Sequence, residues 1–155
     1  MVPSSPIVIF DGVCNFCDYW VNFALRKNKK KDLLFTSLQG ESAKQILPQY
    51  SINASDLSSV IFISNGKAYT QSSAALQICR HLSGGWKLFY GLYIIPKFIR
   101  DFFYNIIARN RYKWYGKKQQ CMVPLEEFKK RFLDWSFWTT KAERREGAQS
   151  VWREY

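Results

Sequence analysis

Apolar and polar positions along the first half of the chain switch between two periods. Ile7-Val-Ile-Phe10 is an unbroken apolar run rich in β-branched residues. That is the pattern of a strand buried on both faces, and it predicts a central, parallel strand. Asp11-Gly12 follows as a turn signal. The period then lengthens: Cys17, Trp20, Val21, Ala24 and Leu25 recur at helical spacing. This predicts a helix from about 14 to 27, stopped by the basic loop Lys27-Asn-Lys-Lys-Lys31. Leu33 to Leu38 reads as a second strand, Glu41 to Leu47 as a short helix ending near Pro48, and Val60-Ile-Phe-Ile63 as a third strand. Asn65-Gly66 is a tight hairpin signal leading into Ala68-Tyr-Thr70. Ser72 is expected to cap a helix whose apolar face is Ala75, Leu76, Ile78, Cys79 and Leu82, with Gly84-Gly85 ending it. The order β-α-β-α-β-β-α predicts an α/β sandwich over residues 1–85. Its first five elements are expected to join by right-handed crossovers onto one sheet, and the hairpin to add an antiparallel strand.

Helical periodicity continues afterwards. Phe98, Ile99, Phe102, Phe103, Ile106 and Ile107 form one apolar stripe with Arg100, Asp101 and Asn105 opposite, and such a stripe is core by default. Pro124 is expected to open a further helix with Leu125, Phe128, Phe132 and Trp135 inward. Residues 86–138 thus read as a helical extension packed on the sandwich, and 139–155 as a polar tail.

Composition narrows the class. With 155 residues the chain can bury ~70% of its unfolded surface, enough for a core without staples. An apolar fraction of 47% against 23% charged excludes wholesale disorder. Four cysteines are too few for a disulfide scaffold. The start Met1-Val-Pro-Ser-Ser-Pro6 has neither the basic nor the apolar region of a secretory signal. The most apolar stretch, Trp86 to Ala108, is interrupted by Lys87, Pro96, Lys97, Arg100 and Asp101. A soluble, cytoplasmic protein is the expectation. Charge is uneven: residues 86–155 hold 15 Lys/Arg against 7 Asp/Glu, where residues 1–85 hold 8 against 5. Arg109, Arg111, Lys113, Lys117 and Lys118, interleaved with Tyr112, Trp114 and Tyr115, make the best anion patch. It is either a binding surface for nucleic acid, lipid headgroups or an acidic protein, or a solvated rim.

The sharpest chemical signal is Phe10-Asp-Gly-Val-Cys-Asn-Phe-Cys17, in which a buried strand ends, a turn follows, and a cysteine pair opens a helix. Residues three apart on a helix share a face with Cβ atoms ~5–6 Å apart, so a small adjustment brings the sulfurs into disulfide range. The helix N-terminus favours a thiolate, the attacking species in disulfide exchange. Cys14, nearer the helix start, is expected to be the more exposed and to attack. Cys17, one turn inside, is expected to resolve the mixed disulfide. On that assignment Cys14→Ser abolishes reduction of insulin disulfides and Cys17→Ser traps an intermediate. Asp11 is either the acceptor of the resolving thiol's proton or a turn residue. A competing use of the pair is half a zinc site, with Cys79, His81 and Cys121 as further ligands; another is inert buried thiols. His81 otherwise reads as a cation at a helix end.

The segment Asp11-Gly-Val-Cys14-Asn-Phe-Cys17 resembles the signature of the DCC family of predicted thiol-disulfide oxidoreductases. The similarity continues through Ser72-Ser-Ala-Ala-Leu76, Pro96, Arg100-Asp101, Tyr104, Ala108-Arg-Asn-Arg-Tyr112, Gly116 and Cys121, covering roughly residues 6–124. The resemblance implies a thioredoxin-like fold and Cys14 and Cys17 as the redox pair; the exchange reading expects no bound organic cofactor and reducing power from another protein or a small thiol. It also implies a shared purpose for Arg100, Asp101, Arg109, Arg111, Tyr112 and Cys121. An ion-pair network holding the extension against the redox edge is one such purpose, in which case charge reversal at Arg109 destabilises the fold. Well-studied thioredoxins carry a cis-proline before their third strand. Here Ser58 and Ser59 stand at that place as the substrate-binding candidates. The expected activity is thiol-disulfide exchange; the alternatives are a basic aromatic module for an anionic partner, or a metal-binding protein using the same cysteines.

Overall fold

The computed structural model describes residues 5–52, 60–117 and 126–134. Four strands, β1 (Ile7–Phe10), β2 (Leu34–Ser37), β3 (Ile61–Ser64) and β4 (Lys67–Thr70), form one sheet in the order β2-β1-β3-β4. The central place of β1 explains its unbroken apolar run, since all four of its residues are buried. Alternation along the strand divides the core in two. Val8 and Phe10 pack toward Val21, Ala24, Leu25 and Phe35 on one face. Ile7 and Ile9 pack toward Ala43, Ile46 and Leu47 on the other.

Helices cover both faces: α1 (Asn15–Lys27), α2 (Glu41–Ile46), α3 (Gln71–His81) and α4 (Lys97–Tyr115), with a 3-10 segment over Gly85–Ile94 between the last two. This is a mixed α/β, thioredoxin-like sandwich. Strand β2 runs parallel to β1, with Ile7 beside Leu34. The expected second crossover, from β2 to β3, is corrected, because β3 pairs with β1 antiparallel, Ile9 facing Ile61. β3 therefore enters the sheet at the end where β2 leaves it. The hairpin is as expected, Asn65 and Gly66 both taking positive φ (50° and 71°).

Two expectations about helices are overturned. Ser72 does not cap α3: the cap position is Thr70, with no side-chain bond, and Ser72 lies inside the first turn, where its hydroxyl donates to Asp101. More consequentially, the apolar stripe of α4 faces outward, with Phe98 exposed at 74% and Phe102 at 63%. The opposite face is turned inward by polar contacts. Asp101 accepts from Ser72, Asn105 Oδ1 accepts from Gln71 (3.2 Å), and Tyr104 OH accepts from the Val60 amide (3.2 Å). Buried polar groups without partners are costly, so these pairs fix the rotation of the helix against its hydrophobic preference. Among the described residues no helix is long and apolar enough to cross a membrane.

Phe132 is buried as expected, its ring 5.9 Å from Phe35 and 6.1 Å from Phe10. Residues 126–131 form a 3-10 turn with Phe128 half-buried. Pro124, Leu125 and Trp135 lie outside the described residues.

Candidate active site

The site is built where β1 runs out. Asp11 turns the chain by accepting the Val13 amide at Oδ1 (3.2 Å), as the turn reading requires. Cys14 then takes the N-cap position of α1 in an extended conformation, its Sγ accepting the Cys17 amide at 3.3 Å, as a serine oxygen does in an ordinary cap. Negative charge on that sulfur lies at the positive end of the helix. Both cysteines are free thiols.

Their exposures are the reverse of the expectation. Cys14 is 0% exposed and Cys17 is half-buried. As the cap, Cys14 precedes the helix and points under the chain that leaves α4. Lys117 pairs with it in an isolated antiparallel bridge, Asn15 Nδ2 donates to the Tyr115 carbonyl (2.8 Å), and the Phe16 and Tyr115 rings lie 5.0 Å apart. The Cys17 thiol is pushed up by burial and by its hydrogen bond to Cys14, while Arg111 opposes the shift.

Arg111 is what the motif did not disclose. It is 3% exposed, donates to Cys17 Sγ from Nη1 (3.2 Å), and forms an ion pair with Asp11 Oδ2 from Nη2 (2.9 Å). Tyr112 OH donates to the same carboxylate oxygen, and Gln39 Nε2 donates to Oδ1 (3.0 Å). Burial, then the bond to Asp11, pushes the Tyr112 phenol up to about 12. With these four donors Asp11 makes no hydrogen bond to either sulfur; it reaches Cys17 through the guanidinium. The signal for Arg111 is the spacing Tyr104, Ala108, Arg111, a second stripe on α4 opposite the apolar one. The ion pair joining the extension to the redox edge thus belongs to Arg111. Arg109 is exposed and has no ion pair among the described residues. For the same reason the anion patch loses one of its five cations, because Arg111 faces inward.

His81 Nδ1 lies 2.8 Å from Asp32 Oδ2 at the end of α3. Among the described residues no group of three or more His, Cys, Asp or Glu is placed to hold a metal. Ser58, Ser59, Lys118 and Cys121 lie outside the described residues.

Comparisons with known proteins agree with this geometry. The model of the DCC1-like thiol-disulfide oxidoreductase family matches residues 8–117, which run from β1 to the chain covering Cys14. The uncharacterized protein YuxK of Bacillus subtilis (strain 168) is 43% identical over 127 residues, spanning 82% of this chain and 93% of that protein. The chloroplastic DCC family protein At1g52590 of Arabidopsis thaliana is 35% identical over 117 residues, 75% of this chain and 68% of that protein. No solved structure matches significantly. A family match over most of the chain, with the two cysteines capping and entering α1, places this protein in the DCC1-like thiol-disulfide oxidoreductase family.

Proposed function

We propose that the protein exchanges disulfides through Cys14 and Cys17, and that the substrate meets Cys17. The observation that supports this is the pairing of an enclosed sulfur at a helix cap with a half-buried sulfur one turn on, bonded to Arg111. Exchange rates depend on which sulfur is reached and on how well the leaving thiolate is stabilised. In the oxidised protein an incoming thiolate attacks Cys17 Sγ, the Cys14–Cys17 bond breaks, and Cys14 leaves as a thiolate at the positive helix end. In reverse, Cys17 loses its proton as it attacks a disulfide sulfur; the substrate S–S bond breaks, a Cys17–substrate disulfide forms, and the departing substrate sulfur takes up a proton. Cys14 then loses a proton and displaces the second thiol from Cys17. The net reaction converts a dithiol and a disulfide into a protein disulfide and two thiols. Asp11 acts as a positioning residue, holding Arg111 against Cys17. A reducing compartment such as the cytoplasm keeps the resting pair as thiols.

The test is trapping. Cys14→Ser is expected to accumulate a mixed disulfide on Cys17 when incubated with oxidised insulin, and Cys17→Ser to lose exchange. Accumulation on Cys14 in the Cys17→Ser protein would assign the entry sulfur to Cys14, and a wild type inert toward every disulfide tried would remove the activity.

A further inference from the structure

Between the sheet and helices α1, α3 and α4 lies a cavity of about 360 Å³. Its floor is formed by core residues including Val8, Phe10 and Phe35. It reaches the surface among Trp20, Phe89 and Ile107, which are 40%, 48% and 41% exposed. Cavities of this size, mostly apolar with a few convergent polar groups, are where small ligands bind. Two of its polar groups belong to the redox site: Cys17 and Arg111 line the cavity along with Tyr104 and Cys79, and Cys14 does not. One observation points to an occupant. Arg111 satisfies Nη1 on Cys17 and Nη2 on Asp11, but its buried Nε has no hydrogen-bond partner. Buried donors are nearly always paired, and an orphan beside a reactive sulfur in an apolar chamber asks for an acceptor on a ligand.

Resting on the exchange reading above, we propose that the substrate is a small apolar thiol or disulfide. Its ring-sized substituent fills this cavity, its sulfur meets Cys17, and an acceptor atom on it takes the free Arg111 N–H. Hydrophilic disulfides of the glutathione type bury nothing there and react without this advantage.

Two methanethiosulfonates test this, because they share a leaving group and differ in the transferred sulfur substituent. The Cys17 thiolate attacks the thiol sulfur of R–S–SO2CH3; the S–SO2 bond breaks, Cys17–S–S–R forms, and methanesulfinate departs with the electron pair. The reduced full-length protein is treated with the benzyl or the 2-hydroxyethyl reagent. Adducts at each cysteine are located by peptide mass, so that Cys79, which also lines the cavity, is counted separately. The benzyl-to-hydroxyethyl rate ratio at Cys17 should exceed that of the urea-unfolded chain by about tenfold or more, as burial of a ring-sized apolar group implies. Ala75→Trp, filling the cavity from α3, should bring the ratio down to the unfolded value. If that variant fails to fold, protection of wild-type Cys17 by benzamide, a ring with an acceptor oxygen and no sulfur, takes its place. A folded-state ratio equal to the unfolded one, or no protection by saturating benzamide, overturns the cavity assignment and leaves the exchange reading standing. A folded protein whose Cys17 reacts with neither reagent overturns the exchange reading itself.

Discussion

Arg111 and Asp11, 100 positions apart, form a buried ion pair at 2.9 Å, and the other arm of the same guanidinium rests on Cys17 Sγ at 3.2 Å. A single side chain from α4 thus serves both as the countercharge of the turn and as the electrostatic neighbour of a thiol. Removing one partner of a buried pair leaves the other charge unpaired, which costs ~3–5 kcal/mol. Arg111→Met should therefore lower the urea midpoint sharply. Asp11→Asn combined with Arg111→Met should recover much of the loss, since no charge is then stranded. Strictly additive losses in that double-mutant cycle would contradict the coupling.

Stability should fall on the alkaline side. Burial first, then Cys14, raises the Cys17 thiol above its ordinary 9.0, with Arg111 opposing. The native chain then keeps a proton that the unfolded chain releases, so this contribution is complete below pH 9.0 and shrinks as pH rises beyond it. Tyr112, raised from 10.0 to about 12 by burial and by Asp11, carries the decline through that second interval. Urea midpoints of the reduced protein are expected to drop from pH 9.0 upward, and Cys17→Ala to flatten the portion below 10.0. Parallel wild-type and Cys17→Ala curves over that interval would refute the assignment.

Gly40 should resist replacement. It precedes α2 without a side chain to cap it, and Asp134 supplies the cap from far along the chain, accepting the Ser42 amide (2.9 Å) and the Thr36 hydroxyl. A Cβ at Gly40 collides with Asp134 Oδ2. Gly40→Ala should displace the carboxylate and destabilise by ~1–2 kcal/mol, the usual worth of a lost cap, and Asp134→Ala should cost about the same. Because both act on one contact, the double variant should cost little more than either alone, read from thermal melts.

Phe132 fills a space between Phe10 and Phe35 on the face that also packs α1. Phe132→Ala should cost ~3–5 kcal/mol as a buried large-to-small change. An unaltered denaturation midpoint would mean that this ring is dispensable to the core.

The parts legible from sequence were those decided locally. Ile7–Phe10, the helix after Cys14 and the Asn65-Gly66 hairpin follow from period and turn chemistry within a few residues. The direction of β3 was not legible, because an apolar run carries no signal for which way its strand runs in the sheet. Nor was the rotation of α4. Its apolar stripe predicts one orientation, but the inward polar residues each find a partner on a distant element: Asp101 on Ser72, Tyr104 on Val60, Arg111 on Asp11. The same non-locality inverts the cysteines. The motif places Cys14 at a helix start, but what lies over that start is Tyr115 and Lys117.

The bond from Asn15 to Tyr115 and the pair from Arg111 to Asp11 also make the N-terminal motif depend on residues about 100 positions away. A nascent chain that has emerged only as far as α3 already carries both cysteines of the motif and a turn with a lone carboxylate. It lacks the cation that neutralises that carboxylate and the stretch that screens Cys14. The site is thus complete only when the fourth helix is in place.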